Sequence, residues 1–251
     1  MLSTNQRRQD KENKGKKEMD YNRNRKFFKA KPSPKFLLLL VAIGIIGILT
    51  KPVVGILFIV LAVVVGVLQY GGRPTADEID AQASSALNDL KSRALKKLGI
   101  EEEEVNMAKP IEFWGYQLGK TVLGGDLRGI QDVQGKDGCW RSPEVKVSGF
   151  YFSEHSIHFY YRIFSLISDL YREGTEEYFY KDVVSVKTES QDEQVYDRQT
   201  GKPHPTLRAH SETFVLRNTG GEATVCSVYD TGIADEACKA MRALLKQKKL
   251  S

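Results

Sequence analysis

Cysteine and histidine are scarce, at three and four among 251 residues. Cys139, Cys226 and Cys238 are odd in number and far apart, which excludes a disulfide framework and predicts reduced thiols. No paired Cys/His spacing points to zinc. His155 and His158 are three apart near a strand start and would point to opposite faces, and His204 and His210 fall in a polar loop around Pro203 and Pro205, so all four read as surface histidines. Neither a Gly-x-Ser-x-Gly elbow nor a Cys/His nucleophile context occurs. Gly119-Lys120-Thr121 resembles the end of a phosphate-binding loop, but the required glycine five residues earlier is Trp114. Leu123 to Gly129 (LGGDLRG) reads as a turn. The sequence therefore assigns no catalytic, cofactor or metal residue and predicts a protein that is not an enzyme.

Charge is present but unevenly placed. Residues 1–35 carry 12 Lys and Arg against 4 Asp and Glu, while residues 71–251 carry 24 against 28. The tail has too few apolar side chains to offset the entropy of ordering and is expected to be disordered. Its expected partner is anionic membrane lipid, with Phe27-Phe28 at the interface. No groove-reading or base-stacking motif accompanies it, so nucleic acid is not expected.

The feature that dominates is the apolar run from Phe36 to Tyr70. One helix of that length would reach roughly 52 Å, well beyond a hydrocarbon core of about 30 Å. Thr50-Lys51-Pro52 divides it, since a charge and a proline suit a helix start better than a helix interior. The expectation is a transmembrane or re-entrant hairpin, Phe36 to Leu49 and Val53 to Tyr70, with Ala62 and Gly66 as a small-xxx-small packing pair and Gly44, Gly47 and Gly55 thinning the facing surface. The basic tail then places the N-terminus in the cytoplasm, and two crossings return the C-terminal region there, giving a cell-membrane protein with both termini cytoplasmic.

After the hairpin, Thr75-Ala76-Asp77-Glu78 matches a capping box. Apolar residues recur at helical spacing from Ile79 to Leu98, and Gly99-Ile100 is a left-handed stop. This amphipathic helix, residues 75–99, is expected to dock on the main domain or to seam a homo-oligomer. From about residue 105 to 249 the texture becomes strands, with aromatic alternation over Glu144 to Phe152 and Ser156 to Arg162, then EYFYKDVVSVK and a hairpin turn at Asn218 to Gly221. A closing amphipathic helix presents Ile233, Ala237, Met241, Leu244 and Leu245.

Tyr180-Lys181-Asp182-Val183-Val184-Ser185-Val186, followed by a strand, a Gly-Gly turn, another strand and a helix, resembles the pleckstrin-homology-like domains of bacterial membrane proteins. The resemblance implies an α+β fold: a partly open antiparallel β-barrel closed by the C-terminal helix, beside a transmembrane hairpin. It further implies a membrane-anchored, non-enzymatic adaptor or scaffold that binds a protein partner or a lipid head group. Tyr180, Lys181 and Arg162 are the candidate binding residues. Two other classes compete: a membrane-bound enzyme or regulator acting on lipid or cell-envelope substrates, and a small subunit of a membrane complex.

Overall fold

The computed structural model describes residues 19–29, 34–119, 121–196, 202–221, 223–229 and 231–250. Most of the basic tail and the polar excursion at residues 197–201 lie outside the described residues. Part of the tail is nonetheless helical: α1, Tyr21–Phe28, is capped by Asp20, whose carboxylate accepts from the Arg23 amide at 2.9 Å. Phe28 is fully buried, so it belongs to the protein core and not to a lipid interface.

The apolar run forms α2, Pro34–Thr50, and α3, Pro52–Tyr70, broken at Lys51. Each helix has the other as its principal packing neighbour. Their 17 and 19 residues give lengths of roughly 26 and 28 Å, below the hydrocarbon thickness of about 30 Å. Among the described residues, no helix is long and apolar enough to cross a membrane. This corrects the transmembrane hairpin, the membrane-anchored scaffold built on it, and the cell-membrane placement with both termini cytoplasmic. The run is apolar throughout, but the break at Lys51 leaves each arm short of a crossing. The same finding overturns the resemblance to bacterial membrane proteins that carry a transmembrane hairpin.

The expected long amphipathic helix is two. α4, Ala76–Ser84, begins at the capping box: the Thr75 amide donates to Glu78 Oε2 at 2.8 Å, and the Glu78 amide donates to Thr75 Oγ1 at 3.2 Å. A 3₁₀ turn at Ser85–Leu87 redirects the chain into α5, Leu90–Leu98, which stops at Gly99 with φ +71°. The apolar stripe (Ile79, Ala83, Leu90, Ala94) is buried on the chain's own sheet together with Val145, Val147, Tyr151, Tyr160 and Phe164. That burial occupies the face that the sequence offered to a second copy.

The sheet is a four-stranded antiparallel array in the order β1 (Ile111–Tyr116), β4 (Glu144–Phe152), β5 (Ser156–Ser165) and β6 (Tyr171–Phe179). A two-stranded ribbon, β2 (Val133–Gln134) with β3 (Trp140–Arg141), interrupts the connection from β1 to β4. A second antiparallel sheet contains β7 (Val183–Tyr196), β8 (Pro203–Asn218) and β9 (Ala223–Val228). Strand alternation gives the first sheet two apolar faces. One meets α1, α4 and α5; the other (Phe113, Phe150, Phe152, Phe159) packs with Phe214, Leu216 and the closing helix α6, Thr231–Leu250. The result is an α+β fold with open sheets. Along α6, Ala237, Met241 and Leu245 are buried and Leu244 is partly buried, as their spacing reads, together with Ala234 and Cys238, whereas Ile233 is exposed.

Candidate functional site

The most densely bonded polar cluster is built around Arg141, whose side chain is 1% exposed. Its Nε and Nη2 donate to the two oxygens of Asp80 at 2.8 and 2.6 Å. Nη1 and Nη2 also reach Asp137 at 3.1 and 2.6 Å, and Nη1 donates to the Cys139 carbonyl at 3.2 Å. All five guanidinium N–H groups are thus engaged. Tyr116 and Tyr229 hydroxyls donate to Asp80 at 2.6 and 2.8 Å, and Tyr229 stacks on Trp114 with centroids 4.3 Å apart. Burial works against the Asp80 carboxylate, but the Arg141, Tyr116 and Tyr229 hydrogen bonds hold its pKa below the usual range. Hydrogen bonds from Arg141 bring Asp137 down to about 2. The cluster joins α4, β1, β3 and the end of β9. Its geometry is that of a staple, with every donor of Arg141 spent on a protein oxygen.

Glu144 does a similar task for the segment after β1. Its buried carboxylate accepts from the Val122 and Leu123 amides at 2.8 and 3.1 Å. Gly119 donates its amide to Asp132, so this glycine serves a loop contact. Among the described residues, no group of three or more His, Cys, Asp or Glu side chains is arranged to hold a metal ion.

The sequence-derived binding residues are not brought together. Tyr180 is buried, its hydroxyl donating to the Ser153 carbonyl at 2.7 Å, and burial raises its pKa to about 12. Lys181 lies beside it with Nζ 5.9 Å from the Phe179 ring centroid. Arg162 sits near the other end of β5, paired with Glu173 and placed 4.7 Å from the Tyr171 ring centroid. Six residues of strand separate Arg162 from Ser156, which pairs with Phe179, a span of roughly 20 Å. What does assemble around Tyr180 and Lys181 is a cleft of 440 Å³ lined also by Glu154, His155, Phe179 and Lys248. Lys248 stands in the last turn of α6, and nothing in the local sequence pattern links it to residue 180.

The hairpin's close contact falls on the glycines read as thinning the facing surface, and not on Gly66. Ala62 is buried, but a β-carbon placed on Gly66 would meet only Leu37 Cδ1, at 4.0 Å. The tight approach is at Gly55, where a β-carbon would stand 2.3 Å from the Ile48 nitrogen and 2.6 Å from the Gly44 oxygen. The rest of the hairpin surface is uncovered. Of 28 exposed large apolar side chains in the described residues, 19 lie between Phe36 and Leu68, along both helices outside the face on which they meet, where Gly44, Gly55 and Ala62 are buried. At the hairpin base stand exposed Lys26, Lys29 and Lys35, with half-buried Arg73 donating to the Lys29 carbonyl at 3.4 Å. Lys26 Nζ lies 3.5 Å from the β-carbon position of Gly72. The base is tied to the body by α1. Arg23 makes two 2.8 Å bonds to Glu78, and Asn24, fully buried, donates to Gln82 and to the Leu166 carbonyl at 2.6 and 2.9 Å.

Compared with known proteins, the chain matches no family model, no curated protein and no solved structure.

Proposed function

We propose that the α2–α3 hairpin binds anionic lipid, without either helix crossing a membrane. The observation that carries the reading is the combination of all-round apolar exposure on the hairpin with a cationic collar at its base. A helix apolar on every side calls for apolar surroundings on every side, which a partner on one face does not provide. Covering 19 large apolar side chains favours such a medium by on the order of 20 kcal/mol or more. The collar of Lys26, Lys29, Lys35 and Arg73 falls where the headgroup layer would lie, and each such charge contributes about 1 kcal/mol on an anionic surface.

Flotation with sealed vesicles tests this. The full chain should float with vesicles containing phosphatidylserine or phosphatidylglycerol and lose roughly 30-fold or more in partition when Lys26 and Lys29 are both changed to Glu, two charges at about 1 kcal/mol each before counting repulsion. Equal flotation of the variant on anionic and neutral vesicles would remove the collar from the account. A chain that stays out of the lipid fraction as a discrete oligomer with the hairpin protected from proteolysis would replace lipid by a second copy. A cysteine at position 51, in a chain also carrying Cys139→Ser, that reacts with an impermeant maleimide from the far side would replace docking by crossing.

A further inference from the structure

We infer that the cleft lined by Phe179, Tyr180, Lys181 and Lys248, with His155 and a single carboxylate, Glu154, at its rim, is a docking site for an acidic peptide segment of a partner protein, presented at the pole of the molecule opposite the hairpin. Three observations converge. The first is the chemistry of the lining. Phe179 is 50% exposed, unusual for a phenylalanine next to a buried tyrosine, and it forms an apolar wall beside Lys181. On the other side Lys248 donates to the Glu154 carbonyl at 3.0 Å and lies 5.7 Å from the Tyr180 ring centroid, which positions its ammonium over the cleft floor. An apolar side chain laid on Phe179, flanked by carboxylates toward Lys181 and Lys248, satisfies both features at once.

The second is rigidity. The floor is held by Tyr180 Oη to Ser153, and the helix end that supplies Lys248 is held by Lys249 Nζ, which donates to the Val183 carbonyl at 2.6 Å. The lysines therefore stand on fixed elements, the 3₁₀ turn Tyr180–Asp182 and the last turn of α6. At that last turn the helix carbonyls favour cations, so the positive charge is retained at no cost to the helix.

The third is placement. The cleft abuts Ser156, where β5 begins, whereas α1, which ties the hairpin base to the body, bonds through Asn24 to Leu166, ten residues further along the chain. At about 3.3 Å per residue the two lie roughly 33 Å apart, at opposite ends of the sheet. Resting on the lipid-docking reading, this geometry turns the cleft toward water and away from headgroups, which selects a protein segment over a lipid as its ligand.

Fluorescence anisotropy on the full chain in mild detergent tests the site directly, and because no vesicle is present its outcome is independent of the lipid reading. The probe is a fluorescein-labelled decapeptide of Glu and Asp with one central Leu and one Phe; its Lys-substituted counterpart is the control. The acidic peptide should bind, and Lys181→Glu with Lys248→Glu should weaken it roughly tenfold or more, two rim charges reversed. Phe179→Ala should weaken it without changing its salt dependence, and Lys96→Glu on the exposed side of α5 should leave it unchanged. Equal binding of acidic and basic peptides, no binding, or indifference to the double reversal would overturn the proposal. So would full competition by anionic micelles at the same residues, which would make the cleft a headgroup site. Circular dichroism of each variant separates lost binding from lost fold.

Discussion

Replacing Arg141 by Met keeps the length of the side chain and deletes all five N–H donors that hold Asp80, Asp137 and the Cys139 carbonyl. The Asp80 carboxylate is left half-buried with only the Tyr116 and Tyr229 hydroxyls as donors, and Tyr116 itself is buried. Breaking a buried pair by removing one partner costs about 3–5 kcal/mol, because the remaining charge stays desolvated. With a urea dependence of roughly 2–3 kcal/mol per molar, the unfolding midpoint in detergent should fall by about 1–2 M. The loss should also be local. Amide exchange in Ala76–Ser84 and Leu90–Leu98 should rise more than in β4 or β5, since the cluster is what ties α4 to β1 and β3. Arg93→Met, which removes an exposed partner of Asp89, is the control and should cost no more than about 0.5 kcal/mol. Equal effects of the two substitutions would refute the assignment of Arg141 as the staple.

The same cluster sets an acid limit. Asp80 and Asp137 both have carboxyl pKa values depressed below 3.8, Asp137 to about 2. A depressed carboxylate stabilises the fold fully above 3.8 and loses that contribution as the pH falls from there through about 2. Wild type should therefore lose stability across that window, and Arg141→Met should show a flatter profile in the same titration. In the hairpin, Gly55→Val should lower the helical melting midpoint followed at 222 nm in micelles, because the added atoms meet Ile48 and Gly44 backbone. Gly66→Ala should leave the midpoint unchanged or raise it, since its neighbour Leu37 stands at ordinary contact distance. A tolerated Gly55→Val would place the helix crossing elsewhere.

Local signals were readable where the physics is local. The Thr75–Glu78 capping box, the left-handed Gly99 and the helix break at Lys51 each rest on a few adjacent residues, and each is seen in the structure. The 3₁₀ turn at Ser85–Leu87 was not readable, because a 3.6-residue stripe continues through it and only packing against the sheet distinguishes one helix from two. What was misjudged is the crossing: hydropathy reports that a run is apolar, whereas a span also needs length, which arms of 17 and 19 residues do not reach. Of the binding residues, Tyr180 and Lys181 share a cleft because they adjoin in sequence, and Arg162 falls at the far end of its strand. Asp80 with Arg141 and Tyr180 with Lys248 are separated by more than sixty residues, and no periodicity or motif connects either pair. Of the hairpin's small residues, Gly44, Gly47 and Gly55 make the close approach their composition suggested, whereas Gly66 does not, because glycine is common in apolar helices whether or not a neighbour meets it.

The central claim is that lipid covers the hairpin. Its most direct test is quenching of an environment-sensitive fluorophore attached at Leu57→Cys, in a chain with Cys139→Ser, by nitroxides carried on the acyl chains of anionic vesicles. Leu57 is among the exposed apolar residues of α3. The account predicts a blue-shifted emission that the acyl-chain nitroxide quenches and aqueous iodide does not, with both effects weakened by Lys26→Glu and Lys29→Glu together. Emission that iodide quenches and acyl-chain nitroxide leaves unchanged would contradict it.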